Sequence, residues 1–486
     1  MNIKIIKYTI SQILKIEAAF MLLPCIVSLI YKEDSTKLVS FLITIAVLLV
    51  ISFILSNKVP DDISMHTKEG FIIVTLSWIF LSIFGALPFV ISREIPSFID
   101  AFFETVSGFT TTGASILTDV EGLSNSMQFW RCFTHLVGGM GVLVFALAVL
   151  PKSSKYSMHI MKAEVPGPIV GKLVSKTKNT AIILYAIYLI MFLIVFLLLV
   201  LAKMPVFDAL LHAFGTAGTG GFGIKSNSVA YYNNPNIEMI IGIGMLLFGI
   251  NFNLYYFLLI GNIKDILKNE EVKLYLTIIA FSTITIAINI LDRTHNILTA
   301  LRYSFFSVSS VITTTGFAVD DFNEWPNYSK IILLILMFIG GCAGSTSGGF
   351  KISRVLILIK TFINEIKKSI NPNRVLKLKI DNKPLDDKIS LGVANYLIVY
   401  IFIYIIGVIL VSLSTNNIVL SISSVAATFN NIGPGLDAVG PMGNYAELSN
   451  FNKVLLSFLM LAGRLEIFPI LILFSTNTFK NIIKKK

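Results

Sequence analysis

The sequence predicts an all-α polytopic membrane protein: four pseudo-symmetric units of helix, pore helix, filter-like break and helix around one pore, preceded by two extra transmembrane helices. Three observations lead there. The 486 residues are 55% hydrophobic and only 14% charged, against roughly 25% charged in soluble proteins. Apolar stretches of about 20 residues, enough to cross a hydrocarbon core of roughly 30 Å, recur along the whole chain. Four short polar, glycine-bearing breaks, at 110–113, 218–221, 313–316 and 430–433, each follow an apolar half-length stretch and precede a full-length one. Lipid cannot satisfy backbone N–H and C=O groups, so irregular backbone at membrane depth must be buried in protein or line a water-filled cavity. Four such breaks predict one shared aqueous axis.

Taken in order, residues 1–66 form a two-helix hairpin with spans 10–30 and 38–56. The first span opens with Lys4, Lys7 and Lys15 in the manner of a signal peptide. It also contains Glu17 and Pro24 and lacks a small-residue cleavage site, so it reads as a retained helix. Unit one, 67–160, carries spans 70–92 and 128–149; unit two, 161–264, carries 179–202 and 237–260. Unit three, 265–370, carries 272–291 and 328–349; unit four, 371–486, carries 392–413 and 452–475. Between the spans of each unit lies a half-span, at 97–109, 205–216, 298–312 and 416–428, long enough to enter the bilayer and too short to cross it. Each half-span is therefore re-entrant from the outer side. Its partially negative C-terminal end is directed at the membrane interior, which favours a cation on the axis.

The units share a register. Asp100-Ala101-Phe102-Phe103-Glu104 precedes Gly113 at the distance at which Asp208-Ala209-Leu210-Leu211-His212 precedes Gly221, and Gly221-Phe222 matches Gly316-Phe317. A second glycine recurs in the following span: Gly138, Gly249, Gly340 and Gly463. Such repetition marks internal duplication.

The net charge of +11 is not a nucleic-acid footprint, because lysine and arginine collect in a few loops. Residues 151–178 hold six lysines against Glu164; 350–389 hold ten Lys/Arg against four acids; Lys480, Lys484, Lys485 and Lys486 close the chain. The positive-inside rule makes these segments, and both termini, cytoplasmic. The stretches after the breaks carry Asp119, Glu121, Asp320, Asp321, Glu324, Asp437 and Glu447 against Lys225, Lys330 and Lys453. These loops face outward, where acidity raises the local cation concentration. Cys25, Cys132 and Cys342 are scattered through apolar spans and read as packing residues. His66, His135, His159, His212 and His295 show no paired metal-ligand spacing and receive no chemistry.

The breaks need only backbone to act. Glycine permits conformations that aim successive carbonyl oxygens at one line, and rings of such oxygens replace the hydration shell of a potassium ion. A single Thr-Thr-Thr-Gly reads most simply as a turn between helices; four at equivalent places read as one device.

On these residues the chain resembles the TrkH-type potassium uptake proteins of the Trk/Ktr/HKT superfamily over nearly its whole length. Thr313-Thr314-Thr315-Gly316-Phe317 and Asn430-Asn431-Ile432-Gly433-Pro434-Gly435 are similar to that family's third and fourth filters, and the two leading helices distinguish the TrkH type from shorter relatives. The resemblance implies potassium-binding filter positions at Thr110, Thr111, Thr112 and Gly113; Thr219, Gly220 and Gly221; Thr314, Thr315 and Gly316; and Asn431, Ile432 and Gly433. The second filter departs from the threonine-rich pattern with Gly218-Thr219-Gly220-Gly221. Glycine rather than serine at Gly113 implies potassium selectivity.

The resemblance further implies an intramembrane gate below the filter, formed by Gly340, Gly341, Gly344, Ser345, Thr346, Ser347, Gly348 and Gly349, with Arg464 projecting into the pore beside it. By composition alone, that glycine-rich run reads equally as close helix packing, and Arg464 as half of a salt bridge to another helix. Asn251 and Asn253 are candidates for the inner vestibule or for helix–helix hydrogen bonds. Potassium as transported ion, a homodimer, a TrkA-like cytosolic nucleotide-binding regulatory subunit and a bacterial inner-membrane location are likewise implied.

Two other classes were weighed. Ser345-Thr346-Ser347-Gly348 superficially resembles the Gly-x-Ser-Gly of rhomboid proteases, but Ser345 replaces the first glycine and the scattered histidines offer no obvious base. A proton- or sodium-coupled secondary transporter with alternating access normally shows two related halves, whereas four parallel copies recur here. The chain has no HExxH, P-loop or dinucleotide fingerprint, so no enzyme activity and no nucleotide bound by the chain itself is expected.

Overall fold

The computed structural model describes residues 2–56, 58–60, 66–141, 177–373 and 376–473. The basic segments 151–178 and 480–486 lie almost entirely outside them. Among the described residues, six helices are long and apolar enough to cross a membrane, seven if one bent pair counts as a single span.

The N-terminal hairpin is α1 (Ile3–Phe20) continued by α2 (Leu22–Ile30) and returned by α3 (Ser35–Leu55). The break at Met21 has a local cause: Pro24 has no N–H to give to the carbonyl four residues earlier. Inside the hairpin, the Ser11 hydroxyl lies 3.0 Å from the Ser52 carbonyl oxygen and 2.7 Å from that of Ser56, so small polar side chains hold the helices together where apolar attraction between them is weak.

Next come α4 (Thr67–Ile91), α5 (Phe98–Phe109) and α6 (Asn125–Gly139); then α7 (Thr177–Leu201), α8 (Val206–Gly218) and the bent pair α9 (Pro235–Phe248) with α10 (Phe252–Leu259). They are followed by α11 (Glu270–Asn289), α12 (Ile297–Ile312), α13 (Asn327–Ile339) and α14 (Ile352–Ile370), and then by α15 (Asp387–Ser412), α16 (Ile418–Phe429), α17 (Asn450–Arg464) and α18 (Phe468–Leu473). The half-spans α5, α8, α12 and α16 begin and end within two residues of the predicted bounds. Their starts are written locally. Ser97, Asn296 and Asn417 accept hydrogen bonds from the amides of Asp100, Leu298 and Val419, the standard N-cap arrangement, and Pro205 precedes α8.

The spans that follow the breaks differ from the uninterrupted helices expected at 128–149, 237–260, 328–349 and 452–475. α6 stops at Gly139, α9 turns by 92° into α10, α13 stops at Ile339 and α17 stops at Arg464. Each stop falls near the recurring glycine. A Cβ at Gly138 or Gly463 would lie 1.9 Å from the carbonyl oxygen of Phe109 or Phe429, so these glycines let each post-break helix pack directly on the end of its half-span. At Gly249, Tyr275 Oη and Thr313 Cγ2 would lie 2.5 and 2.8 Å from a Cβ. One small departure from all-α is a hairpin of Lys379–Ile380 with Lys383–Pro384, turned by Asp381 and Asn382 at positive φ, the residue types suited to such a tight turn.

Candidate functional site

The four breaks adopt one backbone conformation. Thr111, Thr219, Thr314 and Asn431 have φ of 54°, 52°, 56° and 58°, and two residues later Gly113, Gly221, Gly316 and Gly433 have φ of 79°, 77°, 89° and 96°. The residue between them closes the preceding half-helix the same way each time. The amides of Thr112, Gly220, Thr315 and Ile432 donate to the carbonyls of Ser107, Gly215, Ser310 and Ala427, all at 2.8 Å, the six-to-one bond of a Schellman cap. This geometry aligns Gly221 with the other three glycines despite the divergent second break. A β-branched residue in the left-handed region is a genuine outlier, and three of the four sites carry threonine there.

The breaks also close into a ring. A Cβ added at Gly113 would lie 2.1 Å from the Gly220 carbonyl oxygen, one at Gly221 1.9 Å from that of Thr315, one at Gly316 2.1 Å from that of Ile432, and one at Gly433 2.6 Å from that of Thr112. Each glycine therefore touches the residue that precedes the next glycine, and the fourth touches the first. No side chain fits at these four positions without driving the strands apart. On one side of the ring, all four glycines border a cavity of about 80 Å3 lined also by Ser115, Arg131, Phe222, Lys225 and Tyr445.

Hydroxyls brace two of the strands from within. Thr110 Oγ1 and Thr112 Oγ1 are 2.7 Å apart, as are Thr313 Oγ1 and Thr315 Oγ1. In the fourth, the Tyr400 hydroxyl meets Asn430 Oδ1 at 2.5 Å, and Tyr445 donates to the Gly433 carbonyl at 2.7 Å. The predicted outer acids do not line the cavity. Asp119 caps the Glu121 amide at 3.0 Å, Asp320 accepts from Trp325 Nε1 at 2.7 Å and Glu324 pairs with Arg293 at 2.6 Å. The charged groups at the cavity are Arg131, paired with the buried Glu104 at 2.6 Å, and Lys225, paired with Glu121 at 2.7 Å. The Lys225 hydrogen bond holds the Glu121 carboxyl below the usual carboxylate range.

The opposite side of the ring meets the segment 340–351. Gly340, Gly344 and Gly349 have φ of 74°, 70° and 76°, so the chain reverses at each and α13 does not run on into α14. Surrounding elements hold it. The amide of Cys342 donates to the Gly249 carbonyl at 3.0 Å, that of Phe252 to the Gly344 carbonyl at 3.0 Å, and that of Ala343 to Glu271 Oε1 at 2.6 Å. Lys351 Nζ donates to the Ser347 carbonyl. The segment touches the breaks directly: the Gly348 amide donates to Thr314 Oγ1 at 2.6 Å, and Thr219 Oγ1 to Thr346 Oγ1 at 3.3 Å.

Arg464 stands at the end of α17 rather than in the middle of a continuous span. Its guanidinium donates to the Thr346 carbonyl at 2.8 Å and to those of Gly138 and Gly139 at 2.5 and 2.7 Å, bridging the 340–351 segment to α6. Glu466 pairs instead with Arg354 at 2.5 Å. Asn251 caps α10 through the Asn253 amide at 3.0 Å, and its Oδ1 would lie 3.0 Å from a Cβ on Gly344, so it packs on the segment. The structure thus brings the four breaks, the 340–349 run and Arg464 together through these contacts. Sequence reasoning does not single out Glu271, Lys351 or Tyr445: Glu271 lies 72 residues from the Ala343 amide it holds, and no motif marks any of the three.

The family model for TrkH, described as cation transport protein, matches residues 39–481. The Trk system potassium uptake protein TrkH of Salmonella typhimurium is 38% identical over 470 residues, covering 94% of this chain and 95% of that protein. The protein of the same name from Escherichia coli K12 is 36% identical over 469 residues, with 94% and 95% covered. The crystal structure of the potassium transporter TrkH from Vibrio parahaemolyticus superposes with a TM-score of 0.88 at 29% identity, covering 99% of this chain and 100% of that one. By the extent of these matches, the chain belongs to the TrkH family of cation transport proteins.

Proposed function

We propose that this protein takes up potassium across a bacterial inner membrane through a filter of backbone carbonyls at Thr110–Gly113, Thr219–Gly221, Thr314–Gly316 and Asn431–Gly433, gated by 340–349 with Arg464. The observation that carries the reading is the cyclic contact of the four glycines, since carbonyl oxygens ringed at close quarters replace the hydration shell of a dehydrated monovalent cation. The half-helix ends, partially negative, converge behind them. The gate role draws support from the contacts of 340–351 with Thr314 and Thr219 and from the guanidinium beside it. Inward flux is drawn by the membrane potential, worth about 2.3 kcal/mol per charge per 100 mV.

A homodimer of pore subunits, a TrkA-like cytosolic nucleotide-binding regulator docked on the basic segments, and cytoplasmic termini complete the proposal. Rubidium and potassium uptake in a strain lacking its own uptake systems, with sodium competition, tests it. Potassium-selective uptake that saturates weakly and follows the membrane potential is expected; flux strictly coupled to protons or sodium would favour the alternating-access alternative. Sedimentation in mild detergent tests the dimer, and a monodisperse monomer would remove it.

A further inference from the structure

We infer that His135 is a positioning residue for the second break, bracing from a neighbouring helix a strand that the first and third breaks brace with their own threonine hydroxyls. The inference rests on the reading of 219–221 as a filter strand.

Two departures in sequence meet at one place in the structure. In the shared register, the hydroxyl pairs of the first and third breaks come from Thr110 with Thr112 and Thr313 with Thr315. The matching positions of the second break are Gly218 and Gly220, so no side chain is available there. His135 is the other departure. Three residues before the recurring glycine of the following helix, the other units carry Leu246, Met337 and Met460, where the first carries His135.

The imidazole occupies the vacant place. A Cβ at Gly220 would lie 2.3, 2.4 and 2.7 Å from Nδ1, Cγ and Cδ2 of His135, and one at Gly218 would lie 2.2 Å from the His135 carbonyl oxygen. The ring therefore lies flat against the Gly220 backbone, and α6 against that of Gly218. On Phe222, the residue directly after Gly221, the ring stacks with centroids 4.3 Å apart and planes 18° apart. His135 is fully buried, and neither ring nitrogen has a hydrogen-bond partner among the described residues. Its part is thus one of shape: a flat plate between Phe222 and Gly220 that fixes the carbonyl of Gly220, the one that touches Gly113 of the adjacent strand.

Selectivity, rather than amount of protein, is the readout. His135→Leu, close in volume but not flat, is expected to lower the potassium-over-sodium uptake ratio by about tenfold, and Gly220→Ala to do the same because its Cβ collides with the ring. In His135→Ala with Gly220→Ala the obstacle is gone and the new methyl fills part of the space, so the ratio is expected to return toward the unmodified protein. An unchanged ratio in His135→Leu, or a double variant no better than Gly220→Ala, would overturn the inference. An unmodified protein with no potassium preference would instead remove the filter reading itself.

Discussion

The four ring glycines are not equally crowded, and the differences set a graded outcome. A Cβ at Gly221 would stand 1.9 Å from the Thr315 carbonyl oxygen, whereas one at Gly433 would stand 2.6 Å from that of Thr112. With 3.0 Å as the least separation that real Cβ atoms show, Gly221→Ala must open the ring by 3.0 − 1.9 = 1.1 Å and Gly433→Ala by 3.0 − 2.6 = 0.4 Å. Binding constellations tolerate displacements of about 0.5 Å, so the two variants fall on opposite sides of that limit. Both also place alanine at positive φ, an added cost of about 1–2 kcal/mol that does not separate them. Gly221→Ala is expected to lose potassium-over-sodium preference by about tenfold or more, equivalent to about 1.4 kcal/mol, while Gly433→Ala keeps most of it. Rubidium uptake with sodium competition, normalised to protein in the membrane, reads the ratio. Equal preference in the two variants, or a worse ratio in Gly433→Ala, would refute the ring argument.

Gly113→Ser, with its Cβ 2.1 Å from the Gly220 oxygen, is expected to admit sodium, measured as a lower potassium-over-sodium uptake ratio. Arg464→Ala removes the bonds to Thr346, Gly138 and Gly139, and hydrogen bonds to a charged group contribute about 1.5–3 kcal/mol each. Higher basal uptake without the regulator is expected, and lower uptake at normal membrane abundance would contradict the gate role. Glu271→Ala leaves the Ala343 amide without its acceptor, a loss of about 1–3 kcal/mol that should likewise raise basal uptake. The Glu121 carboxyl has a folded pKa below its ordinary value, so the Lys225 pair stabilises above the ordinary carboxylate pKa of about 4.3 and is lost as pH falls through the lowered value. Lys225→Ala should therefore melt slightly lower at neutral pH, by at most about 1 kcal/mol, with the difference vanishing in acid.

The half-helices were readable because length alone separates a dozen apolar residues from twenty, and the caps at Ser97, Asn296 and Asn417 sit where an N-cap rule places them. The breaks were readable through repetition, and the run 340–349 through its glycines. The early ends of α6, α9, α13 and α17 were not, although Gly138, Gly249, Gly340 and Gly463 had been noticed. Hydropathy averages over a window, while the stop is decided by a backbone contact such as that of Gly138 with the Phe109 carbonyl. The outer acids show the opposite error. Composition counts their charge but does not reveal that Asp320 and Glu324 are held by Trp325 and Arg293, away from the cavity. Ligand spacing gives His135 no chemistry, and that criterion cannot detect a ring that acts by filling space.

The recurring left-handed residue ties the ring of breaks to its surroundings. Glycine would hold that φ with the least strain, yet Thr111, Thr219 and Thr314 occupy it with an excess of about 1–2 kcal/mol each, and the fourth position carries Asn431, a type that enters this region more readily. At Thr219 and Thr314 the side chain meets the 340–351 segment, whereas Thr111 Oγ1 has no hydrogen-bond partner among the described residues. Thr314 accepts from the Gly348 amide, Thr219 reaches Thr346, and Asn431 donates to Thr112 Oγ1 at 3.0 Å and to the Met460 carbonyl at 2.9 Å, joining the first and fourth strands to each other and to α17. Arg464 on the same helix then holds Thr346. In the proposed gate role, movement of the segment away from the axis breaks the bonds to Thr314 and Thr219, so two of the four left-handed positions couple that motion to their strands, and strain of this kind persists only where surrounding contacts over-determine it.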